Sequence, residues 1–187
     1  MPIRIEILDK LKNDDSNLAQ LNLSRHSLND EDIATLVVCL KGNTHLQLLC
    51  LCENDIGDKG ATLLAQAIAQ CPNLRFLDVS VNNIGDVGAS ALFSIKHLRH
   101  LDISANNISD LSAQKLLEHK SIVEIFMDGT QISPELSEKI SAQIARNASS
   151  LFEQIREEAK TLPFAHKNML VQELENVYRE SSDGIRP

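Results

Sequence analysis

Leu74-Arg-Phe-Leu77-Asp-Val79-Ser-Val-Asn82-Asn-Ile84-Gly-Asp86-Val-Gly88-Ala decides the fold. In Leu77-Asp-Val79 two apolar residues flank a polar one, the two-residue period of a short strand. Asn82 stands three residues beyond the last of them, and after Asp86 the apolar spacing becomes helical. The stretch is one copy of five. Leu18-Ala-Gln-Leu21-Asn-Leu23 opens the register, and Leu46-Gln-Leu-Leu49-Cys-Leu51 repeats it. The copy at Leu74 follows at the same interval. Leu98-Arg-His-Leu101-Asp-Ile103 and Ile122-Val-Glu-Ile125-Phe-Met127 come next, at a slightly shorter one. Each copy reaches a further apolar residue, Leu28, Ile56, Ile84, Ile108 or Ile132. Asn54, Asn82 and Asn106 hold one position of the three inner copies, where an amide side chain can satisfy backbone groups that a bare buried turn leaves unpaired. His26 and Thr130 replace Asn in the outer copies, as expected of repeats that stack on one side only.

A strand, an Asn-bearing turn and a helix in each copy make the leucine-rich-repeat pattern. The stretch Asn-x-Ile-Gly-Asp-x-Gly-Ala resembles the ribonuclease-inhibitor class of that family, over about residues 18–133. The class includes ribonuclease inhibitor, the Ran GTPase-activating protein and the sensing domains of intracellular immune receptors. Short acidic members resemble effectors that intracellular bacteria inject into host cells. The resemblance implies a right-handed α/β solenoid, with a curved parallel sheet inside and helices outside, acting as a protein-binding scaffold.

The helical half of each repeat opens on an Asp: Asp30, Asp58, Asp86 and Asp110. At a helix start such a carboxylate is expected to accept from the helix's own free N–H groups. Gly60, Gly88 and Ser112, each followed by Ala, are expected to keep the helix close to its strand. A solenoid needs its ends covered. Residues 1–17 read as an N-terminal helical cap, with Ile5, Leu8 and Leu11 as its apolar residues. Residues 134–187 read as a helical cap and tail. Pro134 suits a first helical position, Leu136, Ile140 and Ile144 follow, and Leu151, Phe152, Ile155 and Ala159 extend the stripe to about Thr161. Leu162-Pro163 should break the helix, and a second one is expected from about Phe164 to Arg179 with Leu170, Leu174, Val177 and Tyr178 on one side.

The 187 residues carry 26 acidic and 18 basic side chains, a net charge of −8, which argues against a general nucleic-acid binder. Five Phe, one Tyr and no Trp leave the core to aliphatic residues, as thin repeat layers require. No stretch suits a transmembrane span, and the N-terminal residues carry too many charges for a secretory signal. A cytoplasmic, monomeric chain is expected, or, for an effector, one translocated into the host cytosol without a cleavable signal. Cys39, Cys50, Cys52 and Cys71 form no Cys-x-x-Cys pair, so they read as small apolar residues of a reduced protein rather than metal ligands. No phosphate loop, metal-spaced His pair or nucleophile elbow is present in the sequence, and no cofactor is expected.

Function is therefore sought on the concave sheet. The inward leucine-type positions leave three outward columns. The first is Gln20, Leu48, Phe76, His100 and Glu124, the second Asn22, Cys50, Asp78, Asp102 and Phe126, and the third Ser24, Cys52, Ser80, Ser104 and Asp128. Leu48, Cys50, Cys52 and Phe76 form an apolar patch, Asp78, Asp102 and Asp128 an acidic track beside it, and Phe126 closes the far end. Apolar centres with charged flanks mark protein-recognition surfaces. The reading is a non-catalytic protein-interaction module binding an unknown protein, a host protein if the chain is an effector. The alternative is a regulator of a small GTPase or of a ubiquitin-ligase complex, again through binding.

Overall fold

A computed structural model describes residues 3–161 of the chain. The second C-terminal helix expected at 164–179, its apolar stripe and the tail lie outside the described residues. Helix α1 (Ile5–Lys12) leads into β1 (Gln20–Asn22), α2 (Asp30–Leu40), β2 (Leu48–Cys50), α3 (Asp58–Ile68) and β3 (Phe76–Asp78). There follow α4 (Asp86–Leu92), β4 (His100–Asp102), α5 (Asp110–Ala113), β5 (Glu124–Phe126) and α6 (Pro134–Thr161). The five strands form one parallel sheet in sequence order, and consecutive helices stack beside one another. The register joins Gln20, Leu48, Phe76, His100 and Glu124 across the sheet, one residue from each strand. The shorter interval between the later repeats is thus absorbed outside the strands.

One continuous aliphatic core runs the length of the stack. Leu49, Leu51, Leu77, Val79, Leu101 and Ile103 point inward from successive strands, and Ile33, Leu36, Leu64, Ile68 and Leu92 meet them from the helices. The fifth layer is thinner. Ile122 is buried, but Ile125 and Met127 are only partly so. Helix α5 is a single turn, and residues 114–118 tighten into a 3-10 helix rather than extending it.

Three ladders of side chains tie one repeat to the next. In the first, Asn82 Nδ2 donates to Leu51 O of the previous repeat and Val79 O of its own, each at 3.0 Å, while its Oδ1 accepts from Ile56 N at 3.0 Å. Asn54 and Asn106 repeat this arrangement. Thr130 reproduces part of it, its Oγ1 donating to Met127 O at 2.7 Å.

The second ladder corrects the expected role of the helix-opening aspartates. They do not cap their own helices; they accept from the next repeat. Asp58 Oδ1 accepts from Gly85 N and Gly88 N, both at 2.8 Å, and Asp30 Oδ1 from Gly57 N at 2.8 Å. Asp86 accepts from Ser109 and Ser112, and Asp110 from Ser133. The caps are Asn29, Gly57, Gly85 and Ser109, one residue earlier. Gly60 and Gly88 accordingly make room for the previous repeat's Asp. A Cβ on Gly60 would collide with Asp30 Oδ1, and one on Gly88 would stand 2.8 Å from both Asp58 Oδ1 and Ala61 Cβ.

The third ladder, unread in the sequence, precedes the strands. Asn43 Nδ2 donates to Leu11 O (3.3 Å), Cys71 Sγ to Leu40 O (3.1 Å), and His119 Nε2 to Ile95 O (3.0 Å). Asn147, from α6, continues it by donating to His119 O and Ile122 O, each at 2.8 Å. Each rung satisfies a buried carbonyl of the repeat before it.

The ends differ in detail from expectation. In α1 Leu11 is buried and Leu8 partly so, but Ile5 faces solvent, and Ile3 before the helix packs inward instead. In α6 Leu136, Ile140 and Ile144 are buried against the last repeat, while Phe152 is exposed and Leu151 and Ile155 are half-buried. The side chain of Ala159 lies outside the described residues. Among the described residues no helix is long and apolar enough to cross a membrane.

Candidate protein-binding face

The concave face is set by strand alternation. Leu49, Leu77 and Leu101 face the core, so their neighbours emerge on the open side in two columns, and the residues just past the strands form a third. Leu48, Cys50, Cys52 and Phe76 lie together there, all half-buried by one another and by the sheet. Phe126 is 43% exposed, one of the more exposed large apolar side chains of the described residues.

The first column is linked side chain to side chain. Phe76 stacks on His100, with ring centroids 6.0 Å apart and planes 25° from parallel. His100 Nδ1 in turn lies 2.8 Å from Glu124 Oε2, with both groups largely shielded. Glu124 is therefore a partner of His100 rather than a free carboxylate beside the acidic track.

The track itself is partly engaged. Asp78 Oδ1 accepts from Ser80 N (2.9 Å) and Ser80 Oγ (2.7 Å), and its Oδ2 accepts from Cys50 Sγ (3.3 Å). Asp102 Oδ1 accepts from Ser104 N at 2.9 Å. Burial pushes the Asp102 carboxyl above its ordinary value, against the lowering effect of Ser104, and the charges of Asp78 and Asp128 push it the same way. A cation placed over the track would relieve that repulsion. Asp128 is exposed at the end of its column.

The turn after each strand is held alike throughout. Arg25, Glu53, Val81 and Ala105 all take left-handed φ values between 50° and 59°, and Gly129 takes 72° in the fifth copy. Arg25 and Glu53 form an ion pair between adjacent turns at 2.6 Å. These turns fix the rim of the concave face, and the sequence carried little sign of them because only Gly129 is a glycine.

Comparison with known proteins agrees with this geometry. Two leucine-rich-repeat family models match, one over residues 72–132 and one over residues 42–65. The chain folds as a leucine-rich-repeat solenoid. Among solved structures, actin-binding site 2 of leiomodin-1 superposes on the solenoid with a TM-score of 0.74 and 18% identity, covering 84% of this chain and 98% of that one. The tropomodulin C-terminal domain of Caenorhabditis elegans superposes with a TM-score of 0.67 and 20% identity, covering 82% and 95%. At these identities the likeness concerns the fold. No curated protein matches the solenoid by sequence. The expectation of an injected effector draws no support from these likenesses.

Proposed function

We propose that the solenoid is a non-catalytic scaffold that binds a protein partner on its concave face. An apolar anchor of the partner sits on Leu48 and Phe76, and a basic group of the partner meets Asp78, Asp102 and Asp128. The observation that carries the reading is the register, which lines up an apolar column and an acidic track as neighbours on one open sheet. Aromatic residues such as Phe76 are enriched at interfaces, and a few well-packed central residues carry most of the binding energy. Phe126 extends the apolar contact to the C-terminal rim.

Protein binding is also the general use of this fold. The leiomodin-1 domain is described as an actin-binding site, so actin is the first partner to assay, on fold likeness alone. All four cysteines are free, which suits a monomer working in a reducing compartment such as the cytosol.

Affinity capture from cell lysate, with the intact chain and with a Phe76→Asp, Asp102→Lys double variant, tests the proposal, alongside actin co-sedimentation. One specific band kept by the intact chain and lost by a folded double variant supports the reading. An identical set of bands from both overturns it.

A further inference from the structure

Cys50 and Cys52 alternate with the buried Leu49 and Leu51, so both thiols emerge on the concave side. Their sulfurs lie 3.5 Å apart, far beyond the disulfide bond length of about 2.05 Å. Asp78, the register partner of Cys50 on β3, brings Oδ2 to 3.3 Å from Cys50 Sγ. The three donor atoms all lie within 4.8 Å of one another. With Zn–S near 2.3 Å and Zn–O near 2.0–2.2 Å, donors sharing a tetrahedral ion stand about 3.5–3.8 Å apart, so the two resolved edges nearly fit one face of such a site.

The carboxylate is also aimed. Its other oxygen is held by the amide and hydroxyl of Ser80, which is itself buried, and this turns Oδ2 toward the thiols. At the equivalent place on β4, Asp102 is held by Ser104 but has a neighbour other than a thiol, since Phe126 stands at its register position on β5. Outer hydrogen bonds that orient a ligating carboxylate are characteristic of metal sites.

We propose that Cys50, Cys52 and Asp78 form a binding site for a thiophilic divalent cation, best matched by Zn2+, with the fourth position open on the concave face. The residue spacing alone disfavours it, because the third ligand arrives from the next strand, a full repeat further along the chain. In binding, each thiol gives its proton to solvent, two thiolates and one carboxylate donate an electron pair each, and no electron changes hands. Without an ion the thiols stay protonated. Burial and the nearby Asp78 push Cys50 up to about 12 and raise Cys52 as well. The other charges nearby are Asp102 beyond Asp78 and the Arg25–Glu53 ion pair beside Cys52. A bound cation reverses this balance, since a coordinated thiol is deprotonated outright.

The test uses the full chain, reduced and freed of metal, titrated with Cd2+ as an optical probe and with Zn2+ against a chromophoric chelator. One ion per chain is expected, with a thiolate-to-Cd2+ ultraviolet band and two protons released per ion. A Cys50→Ser, Cys52→Ser double variant should lose the band, and Cys39→Ser should keep it. Ser80→Ala should weaken binding by about 10- to 100-fold. Should the double variant fail to fold by circular dichroism, Cys52→Ser alone decides the matter by halving the thiolate band. Absence of the band at stoichiometric Cd2+, or its persistence at full strength without these thiols, overturns the proposal. Neither result depends on whether a protein partner is found.

Discussion

Asp58 Oδ1 accepts from Gly88 N at 2.8 Å, and a methyl group on Gly88 would stand at the same 2.8 Å from that oxygen. The glycine is thus a demand of the neighbouring repeat, not of its own helix. On helix propensity alone Gly88→Ala would gain about 0.5–1 kcal/mol. The contact with Asp58 and Ala61 reverses the sign, and overpacking of this kind costs about 1–3 kcal/mol. Gly85→Ser should instead be close to neutral. Its Cβ would lie 3.1 Å from Asp58 Oδ2, where a hydroxyl can donate, and Ser109 and Ser133 already donate to the preceding Asp from that repeat position. Urea denaturation of the two variants checks the contrast.

Asn82 bridges two repeats through four hydrogen bonds, all of them to backbone. Asn82→Leu keeps the branched shape but strands Ile56 N inside the stack and takes one of two donors from Leu51 O and Val79 O, which keep Asn54 Nδ2 and Asn106 Nδ2. A stranded buried group costs about 1–3 kcal/mol, so the variant should lose at least about 1 kcal/mol. Calorimetric melting measures the loss. A fall smaller than that of Gly88→Ala would show that the Asn ladder is not a main tie between repeats.

Val81 is a β-branched residue in the left-handed region, at φ 52°, and its side chain is 49% exposed. That conformation costs an ordinary residue about 1–2 kcal/mol. Val81→Asn should raise stability by about 1 kcal/mol, since Asn tolerates this region and little packing is lost. Gly129, at the same position of the last repeat, needs no such relief. A raised midpoint for Val81→Asn, with no gain for Gly129→Asn, is the expected pattern in urea.

His119 donates Nε2–H to Ile95 O and accepts at Nδ1 from Ile122 N, so its partners fit the neutral ring. Burial holds its pKa below the ordinary 6.5, although the Ile95 carbonyl opposes the shift. As pH falls the unfolded chain therefore takes up a proton before the folded one does. The stability His119 supplies is complete above pH 6.5 and is lost as pH drops toward the folded value. Melting temperature should fall over that interval, and His119→Asn should flatten part of the slope. His97, also lowered by burial, retains the rest.

Much of this was legible in the chain because repetition writes each rule several times. Leu49, Leu77 and Leu101 announce the core, and the outward columns follow by alternation alone. What the sequence concealed was contact between repeats. Asp58 reads as a helix cap until Gly88, in the next repeat, is seen against it. Glu124 reads as a free acid until His100 is found 2.8 Å away. Cys50 and Asp78 belong to different repeats and meet only because strand register equates them. Cys71, His119 and Asn147 share no residue type, so the ladder they build before the strands shows no motif.

Docking of a partner on the concave sheet is measured by titration calorimetry of the captured partner against three purified forms. These are the intact chain, Phe76→Asp with Asp102→Lys, and a convex-face control, Val38→Asp with Leu111→Asp, at side chains 76% and 79% exposed. The concave variant should lose about 30-fold or more in affinity, as removal of an interface anchor does, while the convex variant should bind like the intact chain. Loss of binding by the convex variant, with the concave one unaffected, would contradict docking on the concave sheet.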